Sequence, residues 1–253
     1  MTVTNYPFGM LLLAAGSFGL AVLVGDTLRR RMRPLYDEER KDFDIVVSST
    51  LTLLALLIGF TFSMAVSRYD QRKTYEEQEA NAIGTEYLRA DLLPQVRAAR
   101  VRELLRRYLE QRIAFYTERD RARALKIEAA TSARQHELWS AVLLAPPAEV
   151  TIGQALATAG MNDVLNSEGY TEAAWRNRIP VAAWTLMASI AVVCCLMLGF
   201  GARRKDWRML LIVPIVVAIA FFLISDLDSP WGGAIRVAPQ NLQSLADSLP
   251  HRG

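Results

Sequence analysis

Cysteine and histidine are scarce in this chain, and both scarcities exclude something. The two cysteines, Cys194 and Cys195, are neighbours inside an apolar run. Adjacent positions point to different sides of a helix, so neither a disulfide framework nor a thiolate metal site follows. The two histidines, His136 and His251, stand far apart in the sequence and belong to no Cys/His cluster. No zinc set is expected, and no other metal or cofactor. Charge of one sign is also lacking: the formal net charge is only +3, too small to imply a nucleic-acid partner. There is no G-x-S-x-G, no P-loop and no H-E-x-x-H, and the acids are spread over charged stretches where solvated surface is the default, so the chain does not read as an enzyme. Lys and Arg are absent ahead of the first apolar run, which therefore lacks the basic region of a secretory signal and reads as a retained helix.

Long apolar runs are what the chain does have. Charged residues make up 22% of it while its mean hydropathy is positive, because charge and hydrophobicity occupy different segments. Uncharged runs cover residues 8–25, 45–66, 180–201 and 209–225. The second would be about 33 Å long as a helix, enough to cross a hydrocarbon core of about 30 Å. Pro180 suits the first turn of the third run. Pro214 removes a backbone donor near the start of the fourth and predicts a kink or a late helix start there. The expected fold is an all-α membrane protein with four transmembrane helices and a long helical extramembrane insert between the second and third spans. Its parts are a first hairpin (1–66), a helical domain (67–179), a second hairpin (180–225) and a C-terminal tail (226–253).

Within the insert, residues 67–93 show no strong breaker before Pro94 and are expected to carry the second span onward into water. Residues 95–144 read as one long helix whose Val101, Leu104, Leu105, Tyr108, Leu109, Ile113 and Tyr116 form a single apolar stripe. Pro146 and Pro147 end it, and a further amphipathic segment over 149–178 leads to the third span. Basic and acidic residues are nearly balanced across the insert, which gives mixed-charge helix faces.

Basic residues set the expected orientation. Arg29, Arg30, Arg31, Arg33, Arg40 and Lys41 fill the first short connection, and Arg203, Arg204, Lys205 and Arg208 fill the last. By the positive-inside rule both connections are cytoplasmic and the insert and termini lie outside, on the periplasmic side of a bacterial inner membrane. Tyr6, Trp184 and Trp207 near the span ends read as interfacial anchors.

The second span carries the most information. Ser48, Thr52, Ala55, Gly59 and Ser63 recur every three or four residues and form a face of small side chains, which lets helix backbones approach closely. Packing inside the four-helix unit would account for that face. So would a position around a central path in an oligomer, with Thr52, Leu56 and Phe60 on one stripe, since apolar rings can gate by dewetting. Beyond the span, Glu79, Asn81, Glu86 and Arg89 lie at helical spacing and could face a vestibule, or Glu86 and Arg89 could simply pair. Asp226 and Asp228 follow the fourth run, near a helix C-terminus where the macrodipole disfavours negative charge. They could attract cations as a ring, bridge to Arg68 or Arg89, or hold a turn with the following Ser-Pro.

Several of these residues carry a resemblance. GFTFSMAVSRY, in which Gly59 and Phe60 precede Arg68 and Tyr69, resembles the second span and its exit in bestrophins. RYDQRK, EANAIGTEYLRADLLP, NRIP and DLDSPWGGAIRVAPQ, in that order, resemble the bacterial membrane family labelled bestrophin-like, a family without assigned function, over nearly the whole chain. The resemblance implies a pentameric ion channel whose second spans surround the pore, with Phe60 in its neck and Leu56 and Thr52 one and two turns earlier. Bestrophins favour bulkier residues at those two positions, and they carry a dense acidic calcium-binding run where this chain has only Asp226 and Asp228. Two carboxylates fall short of the six to eight oxygens calcium takes. Bestrophin termini and insert are cytoplasmic, opposite to the side that the basic residues indicate here. The function expected is passive conduction of inorganic ions by a homo-oligomer in the lipid bilayer. A non-conducting membrane-anchored scaffold or sensor is the alternative, motivated by the Val101–Tyr116 stripe, which must pack on something.

Overall fold

A computed structural model of the chain describes residues 6–33, 35–143, 151–202 and 207–250. Eight helices occupy them: α1 (Pro7–Arg31), α2 (Asp37–Arg89), α3 (Gln95–Thr117), α4 (Arg121–Leu143), α5 (Ile152–Arg176), α6 (Val181–Gly201), α7 (Trp207–Asp228) and α8 (Gln240–Ser248), with a 3-10 turn at Ala90–Leu92 after α2. No strand occurs among the described residues. Pro146, Pro147, Arg203, Arg204, Lys205 and His251, and the side chains of Trp207 and Arg208, lie outside what is described.

Local chemistry accounts for most helix ends. Pro7 opens α1 and Arg29, Arg30 and Arg31 close it, while Asp37, Glu38 and Glu39 occupy the first turn of α2. Each set complements the helix dipole. The Thr151 side chain caps α5 by accepting the Gln154 amide at 3.1 Å. The second span does run on into the insert: α2 has 53 residues without a break, about 80 Å at the usual rise, so only its apolar 45–66 portion can lie within a bilayer.

Three expectations need correction. The stretch 95–144 forms two helices, not one, broken at residues 118–120. There the Asp120 carboxylate accepts the Ala122 and Arg123 amides at 2.7 and 3.1 Å, and the Glu118 carboxylate accepts those of Arg119 and Asp120. These bonds satisfy donors at the start of α4 and hold both carboxyls below the usual range. α7 starts at Trp207 and passes through Pro214 to Asp228, so the proline does not delay the helix. The C-terminal tail contains a helix, α8, which the sequence reading had not assigned.

By its contacts the chain divides into two compact units, residues 1–68 with 178–235, and residues 69–177 with 236–253. In the first, α1 packs along α6 and α7. Gly25 and Gly199 bring α1 and α6 into backbone contact: a Cβ at Gly25 would overlap the Leu196 carbonyl oxygen, and one at Gly199 would overlap that of Val22. Phe18 meets Phe221 edge-on at 5.4 Å, and Trp184 does so at 5.8 Å. Cys194 and Cys195 are buried in the same interior. Among the described residues, four helices are long and apolar enough to cross a membrane.

In the second unit α3 packs on α4, and α4 on α5. Val101, Leu104, Leu105, Tyr108, Leu109 and Tyr116 are all buried there, and Phe115 and Tyr116 pack on Trp175 at 4.9 and 5.6 Å. The apolar stripe of α3 is therefore covered by the chain's own helices. Of the stripe only Ile113 is left half-buried.

Candidate functional site

The α2 span is the least covered of the four. Only 11% of its most apolar window is buried, against 28–44% in the others. Leu54, Thr61 and Ala65 form its one buried edge, while Ser48, Thr52, Ala55, Gly59 and Ser63 are exposed and nothing lies within 4 Å of where a Gly59 side chain would begin. The small-residue face is thus not used for packing inside the chain. Leu56 and Phe60 are 53% and 62% exposed, so Thr52, Leu56 and Phe60 share one open stripe. Arg68 and Tyr69 are half-buried at the end of this stretch.

Asp226 and Asp228 are only 1% and 2% exposed. Asp226 accepts the Ala234 and Ile235 amides at 2.7 and 2.8 Å and so pins the loop that follows α7. Asp228 accepts the Ile179 amide at 3.1 Å and faces Arg68 and Arg178 at 3.8 and 3.6 Å. Those partners offset the macrodipole cost of acids at a helix end. Of the expected arrangements the bridge to Arg68 forms, and the Asp226 side chain bonds the loop at Ala234 and Ile235 rather than a turn at Ser229-Pro230.

In the second unit the vestibule candidates separate. Asn81 is exposed, but Glu79 and Glu86 are fully buried. Glu79 pairs with Arg112 of α3, 1% exposed, and also accepts the Tyr116 and Thr171 hydroxyls at 3.2 Å each. Arg112 faces Glu168 of α5 at 3.6 Å and lies over the Phe115 ring at 4.6 Å. Burial works against the Arg112 charge, yet Glu79, Tyr108 and Glu168 outweigh it and hold the guanidinium above its ordinary range. Burial pushes the Glu168 carboxyl up, opposed by Arg112 and by the Gln135 amide. One turn earlier, buried Glu76 accepts the Asn241 and Leu242 amides at 2.9 and 3.0 Å and the Asn241 side chain at 2.6 Å, capping α8 from another helix. The sequence reading missed Arg112, although a charge at an i+3/i+4 position of an apolar stripe is a signal for a buried pair. Glu76 gave no comparable signal.

Glu86 and Arg89 do not pair with each other. Arg89 reaches Asp163 of α5 at 3.8 Å, and both Glu86 carboxylate oxygens are buried without a hydrogen-bond partner among the described residues. The described residues also contain no group of three or more His, Cys, Asp or Glu able to hold a metal ion. Nothing in this arrangement resembles a nucleophile with its base, and the open α2 stripe is the feature that stands out.

Solved structures share this fold. The chain is similar to a bacterial bestrophin homologue from Klebsiella pneumoniae, with 17% identity and a TM-score of 0.58 over 95% of this chain and 98% of that one. It is similar to a single-site variant of that homologue, with 16% identity and a TM-score of 0.59 over 95% and 96%. A structure described only as a membrane protein variant matches with 16% identity and a TM-score of 0.60 over 95% and 98%. No curated protein matches the chain. The model of the Bestrophin-like domain matches residues 12–242, almost the whole of both units, and the chain belongs to the bestrophin-like family.

Proposed function

We propose that copies of this chain close into a homo-oligomeric ring, a pentamer, that conducts ions passively along the open face of α2, with Phe60, Leu56 and Thr52 at the constriction. The observation that carries this reading is the uncovered small-residue face of α2. Exposure of Leu56 and Phe60 alone would suit lipid. A run of Ser, Thr, Ala and Gly would not, because its advantage is close approach of another backbone. The same chain spends Gly25 and Gly199 on such an approach between α1 and α6, while the space beside Gly59 is empty. A closed ring fills it with the same helix of a neighbouring copy.

In the second unit α2 presents exposed Gln71, Thr74, Gln78 and Asn81 at helical spacing. Exposed Asp70, five full turns beyond Thr52, lies on the same face; Asn81 is the vestibule candidate that is exposed, whereas Glu79, Glu86, Asp226 and Asp228 are buried. The basic residues between α1 and α2 favour the cytoplasm for that connection, and a reporter inserted at Pro146 that is read as cytoplasmic reverses this orientation.

Native mass spectrometry of protein purified with its lipid tests the ring. A pentamer, together with flux in liposomes that rises in Phe60→Ala, supports the channel. A persistent monomer or dimer, or no flux under any pH, voltage or calcium condition, overturns it.

A further inference from the structure

Glu86 is a buried carboxylate with no hydrogen bond to hold its charge among the described residues. It lies on α2 well beyond the apolar 45–66 portion, 0% exposed, with neither oxygen accepting a hydrogen bond among the described residues. The space it fills is made by Gly160 of α5, where a Cβ would collide with Glu86 Oε2 and with Arg89 Nη1. Two charged groups face it: Arg89, one turn along its own helix, and Asp163 on α5. These two face each other across 3.8 Å, and both are partly solvated. Arg89 is therefore committed in part to Asp163, and an ionised Glu86 would have to share it while being repelled by Asp163.

We propose that Glu86 is a proton-binding site, holding a proton in the folded chain, and that loss of this proton releases α5 from the distal part of α2. With the proton on, a neutral carboxyl sits against Gly160 and Arg89 spans to Asp163. With the proton off, the only cation facing the charge among the described residues is Arg89, which already spans to Asp163 and makes no hydrogen bond to Glu86. Water reaches it only if α5 moves away from α2.

Burial, reinforced by Asp163 and opposed by Arg89, pushes the carboxyl up to about 8. The folded-state value lies above the ordinary carboxylate value of about 4.3. The contact is therefore fully stabilised below that ordinary value, weakens as pH rises through the interval, and loses nothing further above about pH 8. The contact therefore responds between the ordinary carboxylate value and about pH 8, and is indifferent to pH above that. It is a property of the helical unit alone, so it stands or falls independently of conduction.

The test uses the full chain in lipid nanodiscs. Infrared difference spectra through a pH titration read the protonated carboxyl directly, and hydrogen exchange read at α5 amides around Gly160, corrected for intrinsic rates, reports the release. Wild type should show a protonated carboxyl at neutral pH that disappears around pH 8, absent from Glu86→Gln. Over the same interval α5 exchange should accelerate about tenfold or more in wild type and stay flat in Glu86→Gln. A protonated-carboxyl signal that is missing at neutral pH, or that survives in Glu86→Gln, overturns the proposal. If that variant does not fold, the wild-type titration decides: α5 protection unchanged between about pH 6 and about pH 9 overturns it equally.

Discussion

Replacing Arg112 by Met tests the view that the second unit is organised around a buried ion cluster. Arg112 serves two acids at once, Glu79 and Glu168, and all three are inaccessible or nearly so. Removing one partner of a buried pair costs about 3–5 kcal/mol, mostly as the penalty of leaving the other charge uncompensated. Arg112→Met strands two carboxylates, so it should reach the upper part of that range. Glu79→Gln should be milder, about 1–3 kcal/mol. It leaves Arg112 with Glu168, and its amide oxygen can still accept the Tyr116 and Thr171 hydroxyls. The double variant Glu79→Leu with Arg112→Met should recover part of the loss, because a buried pair exchanged for apolar residues is often close to neutral.

Native-state hydrogen exchange at α3 and α5 amides of the full chain in mild detergent reads these differences without requiring the whole protein to unfold in one step. The deficit of Arg112→Met also carries a pH signature. With the guanidinium gone, the Glu168 carboxyl loses the charge that opposes its burial and moves further up, so the deficit should be smallest at acid pH, where that carboxyl is neutral, and should grow as pH rises through its shifted value. Arg112→Met costing less than Glu79→Gln, or a deficit indifferent to pH, would refute the cluster as the organiser of this unit.

Two glycines of the membrane unit should answer substitution in opposite ways. Gly199→Ala forces a Cβ onto the Val22 carbonyl, a backbone atom that cannot yield, and should destabilise the protomer by about 1–3 kcal/mol, seen as a lower thermal midpoint in detergent. Gly59→Leu meets open space within the chain and should leave that midpoint unchanged while reducing the ring mass seen by native mass spectrometry; an intact ring would count against the proposed interface. Asp226→Asn should raise exchange at the Ala234 and Ile235 amides, since charge-assisted hydrogen bonds contribute about 1.5–3 kcal/mol. It should leave ion selectivity unaltered, and a changed selectivity would return Asp226 to the conduction path.

The fold was legible where one physical signal dominated. Four uncharged runs of spanning length predicted four membrane helices, and the i, i+3, i+4 recurrence from Val101 to Tyr116 predicted a buried face. The break between α3 and α4 was missed because 118–120 lacks Gly and Pro; it is made instead by the carboxylates of Glu118 and Asp120 bonding to backbone amides, in sequence only two acids among arginines. The nine-residue α8 offers too short a period to register, and its N-terminus is capped by Glu76, far away in sequence.

The candidate site was legible only in part, for a reason visible in the carboxylates. Spacing places Glu79, Asn81 and Glu86 near one another along α2, but at 100° per residue a step of two or five moves from one face to another. Only Asn81 ends on the open face. Asp226 and Asp228, two residues apart, likewise go to different partners, one to a loop and one to two arginines.

Hydropathy has a matching blind spot within the membrane. It registers that Ser48 to Ser63 can sit in lipid, but a lipid tail and a neighbouring helix are equally apolar, so it cannot separate a face turned to lipid from a face turned to another copy. Coordinates add the comparison that matters. The same unit contains glycines pressed against backbone, Gly25 and Gly199, and glycines beside empty space, Gly16 and Gly19 on α1 and Gly59 on α2, and only the first kind is explained by the fold of one chain. The scaffold reading drew its support from a stripe that the chain buries by itself. The channel reading draws its support from a face that the chain leaves uncovered, and of the two surfaces only that one still needs a partner.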